Sequence, residues 1–222
     1  MDEGLSQRYL EIQQRIARAA SDSHREIDSV TLVAVTKFHP AQLVLDLLQL
    51  GQRHFGENKD QEAGPKALQV QDVLVRNLVA SQSQVDGIKP TWHFVGQLQS
   101  NKVKSVLRYV QSVHSLDRPS LLGAMAKETA KLAQLREQEH LPATPALDVF
   151  IELNLTDDPE RGGIRVNDLL GFAQSVLEVP GLNLVGVMGV ASLEGQPERD
   201  FAAIQAASLK LQGLAPQANF IS

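Results

Sequence analysis

Short β-branched apolar runs alternate with amphipathic helical stretches along almost the whole chain, and this alternation restricts the fold more than any other feature. The first pair is the clearest. Thr31-Leu32-Val33-Ala34-Val35-Thr36 suits a strand buried on both faces. Pro40 then fixes a helix start, Leu43, Val44, Leu47 and Leu48 supply an apolar stripe, and Gly51 can cap the end. The same unit recurs. Strands are predicted at 54–57, 91–96, 112–116, 147–153, 184–190 and 219–222. Between them lie helices marked by Val103, Val106, Leu107 and Val110, by Leu122, Met125, Thr129 and Leu132, by Leu169, Leu170, Ala173, Val176 and Leu177, and by Phe201, Ile204 and Leu211. The stretch after Asn58 begins as a helix, and Ala80 to Lys89 read as an exposed loop. An extra amphipathic helix at about 5–20, carrying Leu5, Tyr9, Ile12 and Ile16, precedes the first strand.

Strands and helices in strict alternation call for a parallel sheet, either open or closed into a (β/α)8 TIM barrel. Two features favour the barrel. Polar residues recur at strand C-terminal ends (Lys37, Glu57, Asn58, Asn154), and no glycine-rich dinucleotide fingerprint follows any strand. The 222 residues are expected to form one domain. Seven strands leave an eight-stranded barrel one short, so a last helix and strand of roughly 25 to 30 residues are expected beyond Ser222.

Composition narrows the function classes. A net charge of −5 argues against nucleic acid as a partner. No window approaches the apolar length of a membrane span, and the N-terminal stretch lacks a signal peptide's apolar block, so a soluble, cytoplasmic protein is expected. The absence of cysteine excludes disulfides, thiolate metal sites and a cysteine nucleophile. The histidines show no close pair at ligand spacing with a carboxylate, so no metal is expected.

Lys37 is the sharpest candidate. A lysine directly after a buried apolar strand is expected to put its ammonium into the barrel mouth, where desolvation favours the neutral amine that attacks an aldehyde. A snorkelling lysine or a phosphate anchor are the plainer alternatives. His54, Glu57, Asn58, Trp92 and His93 form a second constellation from the next two strands, able to stack and hydrogen-bond a flat heteroaromatic ligand, although each histidine taken alone is as readily a core residue. Lys102, Lys104 and Arg108 make a small basic face that is more simply a solvated one. Arg161-Gly162-Gly163 marks a turn that could approach an anion, and Ser192 has a similar ambiguity. Ser222 stands where a seventh strand delivers its end to the mouth, a common place for phosphate.

Four segments, Val33-Ala34-Val35-Thr36-Lys37, His54-Phe55-Gly56-Glu57-Asn58, Trp92-His93-Phe94-Val95-Gly96-Gln97-Leu98-Gln99-Ser100-Asn101-Lys102 and Val113-His114-Ser115-Leu116-Asp117-Arg118, occur in an order that resembles the pyridoxal phosphate homeostasis protein family. The resemblance implies a fold-type III barrel like the N-terminal domain of alanine racemase, with pyridoxal 5′-phosphate (PLP) joined as a Schiff base to Lys37. It further implies that Asn58 lies beside the cofactor ring and that Ser222 opens the phosphate site, the remaining contacts belonging to residues beyond it; His93, from the constellation above, is the further candidate for binding the cofactor. Arg161 replaces the family's lysine in the loop after the fifth strand, keeping the charge with a different geometry.

Three functions fit. The first is a monomeric, non-catalytic carrier that keeps free aldehyde low and supplies PLP to apoenzymes; a barrel racemase or decarboxylase needs a second domain to contribute another acid or base. The second is a PLP-dependent amino-acid racemase. The third is an aldolase with a lysine Schiff base to a sugar, which would lack the yellow colour of bound PLP.

Overall fold

The computed structural model describes residues 3–81, 89–156, 161–191 and 197–222. They gather into two compact units, Met1–Gly56 with Pro65–Thr91 and Glu57–Gly64 with Trp92–Ser222. The helix α1 (Glu3–Asp22) opens the first unit, two residues longer at each end than its apolar spacing predicts. The Tyr9 hydroxyl donates to Gln52 Oε1, and Ala20 is buried, but Ile12 is left 38% exposed.

Strand β1 (Val33–Val35) pairs in parallel with β2 (His54–Glu57), Val33 opposite His54 and Val35 opposite Gly56. The buried Gln52 amide locks this pair at its start by donating to the carbonyls of Leu32 and His54. At the other end the Thr36 N–H donates to Gly56 O, while the buried Lys66 of α3 (Asp60–Ser81) donates to Thr36 O at 2.7 Å. The expectation of a strand buried on both faces is corrected here. Only three residues are in strand conformation, and Val35 is 48% exposed, because β1 has β2 as its one strand partner among the described residues. Helix α2 (Ala41–Gln49) follows Pro40 and buries Ala41, Val44, Leu47 and Leu48. Ala80 and Ser81, expected in a loop, belong to α3; residues 82–88 of that expected loop lie outside the described residues.

In the second unit the parallel order is β3 (Thr91–Phe94), β4 (Ser112–Leu116), β5 (Leu147–Asn154), β7 (Leu182–Gly189) and β8 (Phe220–Ile221). Every residue of β4 is buried, as a strand covered on both faces requires. A two-residue strand, β6 (Ile164–Arg165), adds to the end of β5, which hydrophobic patterning does not reveal. The helix expected over Val103 to Val110 contracts to α4 (Val103–Val106) flanked by tighter turns, yet Val103, Val106 and Val110 are still buried. Helix α5 (Pro119–Gln138) starts at its proline and buries Leu121, Leu122 and Met125.

Two helix faces differ from their predicted stripes. Helix α6 (Leu169–Leu177) buries Leu169, Phe172, Ala173 and Val176, leaving Leu170 and Leu177 each 42% exposed. Helix α7 (Pro197–Leu214) buries Ile204, Ala207, Ser208 and Leu211, leaving Phe201 61% exposed. Among the described residues no helix is long and apolar enough to cross a membrane.

Candidate functional site

In the first unit, Lys37 stands two residues beyond the end of β1, in a turn whose next residue, Phe38, has φ +65°. Thr36 is 1% exposed, but Lys37 is exposed. The expected desolvation of its amine is therefore corrected: burial ends at Thr36, because the chain turns away from the strand at the lysine itself. What is buried is Lys66, missed in the sequence because it lies on a helix just after Pro65, and its ammonium holds the carbonyl that precedes Lys37. His54 is half-buried, and desolvation lowers its pKa from the ordinary imidazole value.

The second unit contains Asn58, His93 and Ser222. Asn58 follows β2 and sits tightly against Gly96, where an added β-carbon would lie 2.5 Å from Asn58 O, so Gly96 admits no side chain. Its Oδ1 is buried without a hydrogen-bond partner among the described residues. His93 and Ser222 are linked through His114, a residue that the constellation read from the sequence did not include. His93 Nδ1 is 2.8 Å from His114 Nε2, and His114 Nδ1 is 2.7 Å from Ser222 Oγ. The His114 ring stacks on Phe150 with centroids 4.3 Å apart and planes at 21°. Burial drives its pKa down to about 4, so the ring is neutral at physiological pH. The sequence signal for His114 is its central position in a wholly buried strand, where an imidazole must find polar partners.

A second polar group collects at the C-terminal ends of β4 and β5 and just beyond them. Asp117 is nearly buried and pairs with Arg118, whose other nitrogen donates to Leu98 O at 2.6 Å. Glu152 has its pKa raised to about 7, first by desolvation and then by Asp117, against the opposing pull of Arg161 and Arg118. Its Oε2 is buried without a partner among the described residues. Arg161 reaches the carbonyls of Val190 and Ala191 at 3.3 and 3.4 Å. The adjoining glycines serve close approach: a β-carbon at Gly162 would meet Gln97 Nε2 at 2.0 Å, and Gly163, at φ +114°, would meet Asn154 N at 2.4 Å. Lys104 and Arg108 are exposed and Lys102 is half-buried, while Trp92 and Glu57 are buried. Ser192 lies outside the described residues.

Residues 11–218 match the family profile described as alanine racemase, N-terminal domain. The chain is 32% identical over 208 residues to the pyridoxal phosphate homeostasis protein of Mycobacterium bovis, covering 92% of this chain and 76% of the relative. The chain belongs to that family. The protein of the same description from Escherichia coli K12 is 29% identical over 204 residues, covering 92% and 77%. Among solved structures, PipY of Synechococcus elongatus PCC7942 with PLP bound superposes with a TM-score of 0.68 at 26% identity, covering 92% of this chain and 85% of that one. Membership of the pyridoxal phosphate homeostasis family makes the fold a parallel α/β fold of the TIM-barrel kind, in agreement with the parallel strand pairing and the alternation of strand and helix described above.

Proposed function

We propose that this chain is a single barrel domain that holds PLP covalently on the Lys37 amine and takes part in intracellular PLP homeostasis without turnover of its own. The observation that carries this reading is the match over 92% of the chain to proteins described as pyridoxal phosphate homeostasis proteins, together with the PLP bound in PipY. When bound, PLP supplies an aldehyde that condenses with an amine and releases water. Lys37 supplies that amine. Its exposure leaves it open to an incoming aldehyde, and the hold of Lys66 on Thr36 O fixes the backbone from which it projects.

The other contacts of this reading are the sequence candidates Asn58, His93 and Ser222, each taken by its own chemistry. Asn58 Oδ1, buried and unpartnered among the described residues, accepts a hydrogen bond from a ring hydroxyl. His93 offers an imidazole edge beside a flat ring, and the Ser222 hydroxyl, at an exposed strand end, donates to a phosphate oxygen. The protein works as a cytoplasmic monomer in this reading, with PLP-dependent apoenzymes as recipients. The test is colour. Purified chain reconstituted with PLP is expected to show the yellow absorption of a lysine-bound cofactor, and Lys37→Ala is expected to abolish it. A variant that stays equally yellow removes Lys37 from the reading.

A further inference from the structure

We propose that His93 and His114 form a two-imidazole relay that sets the direction in which Ser222 presents its hydroxyl proton, so that Ser222 acts as a donor to an anionic oxygen. Both histidines are then positioning residues, and the inference rests on the reading that Ser222 meets the cofactor's phosphate.

The geometry leaves little freedom. The backbone of Ser222 is fixed on both sides, its N–H donating to Val187 O at 3.0 Å and its carbonyl accepting from Gly189 N–H at 3.1 Å. Only rotation about the side chain can move Oγ, and Oγ lies 2.7 Å from His114 Nδ1. His114 is 3% exposed and stacked on Phe150, so its ring cannot swing away. Its second nitrogen is engaged as well, 2.8 Å from Nδ1 of His93, which is 8% exposed.

A neutral imidazole carries one N–H, so His114 donates through one nitrogen and accepts through the other. Two arrangements of protons complete the chain. With the proton on His114 Nε2, that nitrogen donates to His93 Nδ1, and the serine hydroxyl donates to His114 Nδ1. Ser222 then offers only lone pairs to anything outside. With the proton on His114 Nδ1, the imidazole donates to Ser222 Oγ, His93 Nδ1–H donates to His114 Nε2, and the serine proton is released to point outward. A deprotonated phosphate oxygen has no proton to give and requires a donor. An anion at Ser222 therefore selects the second arrangement, and the choice is carried from the end of β8 through β4 to β3, where Nδ1 of His93 changes from acceptor to donor. The relay thus couples occupancy at the strand end to the hydrogen-bonding character of His93.

The experiment uses the full chain labelled with ¹⁵N-histidine, with long-range nitrogen–proton spectra reporting the tautomer of each ring, titrated with inorganic phosphate and, separately, with PLP while its colour is recorded. The expected result is that either ligand converts His114 and His93 to their Nδ1–H forms, and that Ser222→Ala abolishes the conversion. His114→Phe, which keeps the ring stack and removes both nitrogens, is expected to weaken phosphate binding about tenfold, the scale of one well-directed hydrogen bond. His114→Gln, whose amide can still donate to Oγ, is expected to recover most of that loss. His114 remaining Nε2–H, or unchanged, at saturating phosphate overturns the relay, as does unaltered phosphate affinity in His114→Phe. Tautomer conversion by phosphate without colour from PLP sustains the relay and instead removes the covalent reading of Lys37.

Discussion

Glu152 and His114 lie on adjacent strands, and burial shifts them in opposite directions. Glu152, raised from 4.5 to about 7, keeps its proton in the folded protein over a range where the unfolded chain has released it. Its contribution to stability is complete below about 4.5 and is lost as pH rises towards 7. His114, lowered from 6.5 to about 4, does the reverse: the unfolded chain takes up a proton that the folded chain refuses, and stability falls as pH drops through that interval. The two slopes oppose each other, so the pH profile of the native protein hides both. Glu152→Gln is expected to unmask the histidine. Denaturant midpoints measured across this interval should rise more steeply with pH in the variant than in the native chain. Parallel profiles would show that Glu152 titrates normally.

At the scale of elements, the attachment of β8 depends on a missing side chain. A β-carbon at Gly186 would lie 1.9 Å from Phe220 O, on the backbone of the neighbouring strand, so β7 and β8 can pair at this register only with glycine there. Gly186→Ala is expected to cost about 1–3 kcal/mol, the usual range for overpacking without room to relax. Amide exchange at Ile221 and Ser222 should accelerate more than exchange in β4. Uniform acceleration across all strands would argue against a local effect. The loop after β5 depends on glycine in the same way: at Gly163 a side chain would meet both an unfavourable φ of +114° and the backbone of Leu153 and Asn154.

For the whole molecule, cofactor binding and catalysis make separable predictions. A ligand that binds only the folded chain stabilises it by about 2.7 kcal/mol at a hundredfold excess over Kd, which for a chain of this size raises Tm by about 5–10 °C. PLP is expected to do so for the native chain and much less for Lys37→Ala. A carrier without turnover should exchange no α-proton when the PLP-loaded protein is incubated with amino acids in deuterated water. Robust exchange would favour the racemase reading.

The alternation of strands and helices, the proline starts of α2 and α5, and the ordered motifs around Lys37, Asn58 and His93 are local patterns, and for that reason the chain determines them residue by residue. What surrounds each residue is decided by segments remote in sequence. The turn that exposes Lys37, the hold of Lys66 on Thr36 O, and the choice of Phe172 over Leu170 for the core are of this kind. So is the His93–His114–Ser222 chain, in which the bonded pair His114 and Ser222 lie 108 residues apart in sequence. Periodicity records which residues share a face; only packing decides which face is covered and which polar atoms meet, because burial and hydrogen bonding depend on neighbours that the local sequence does not contain.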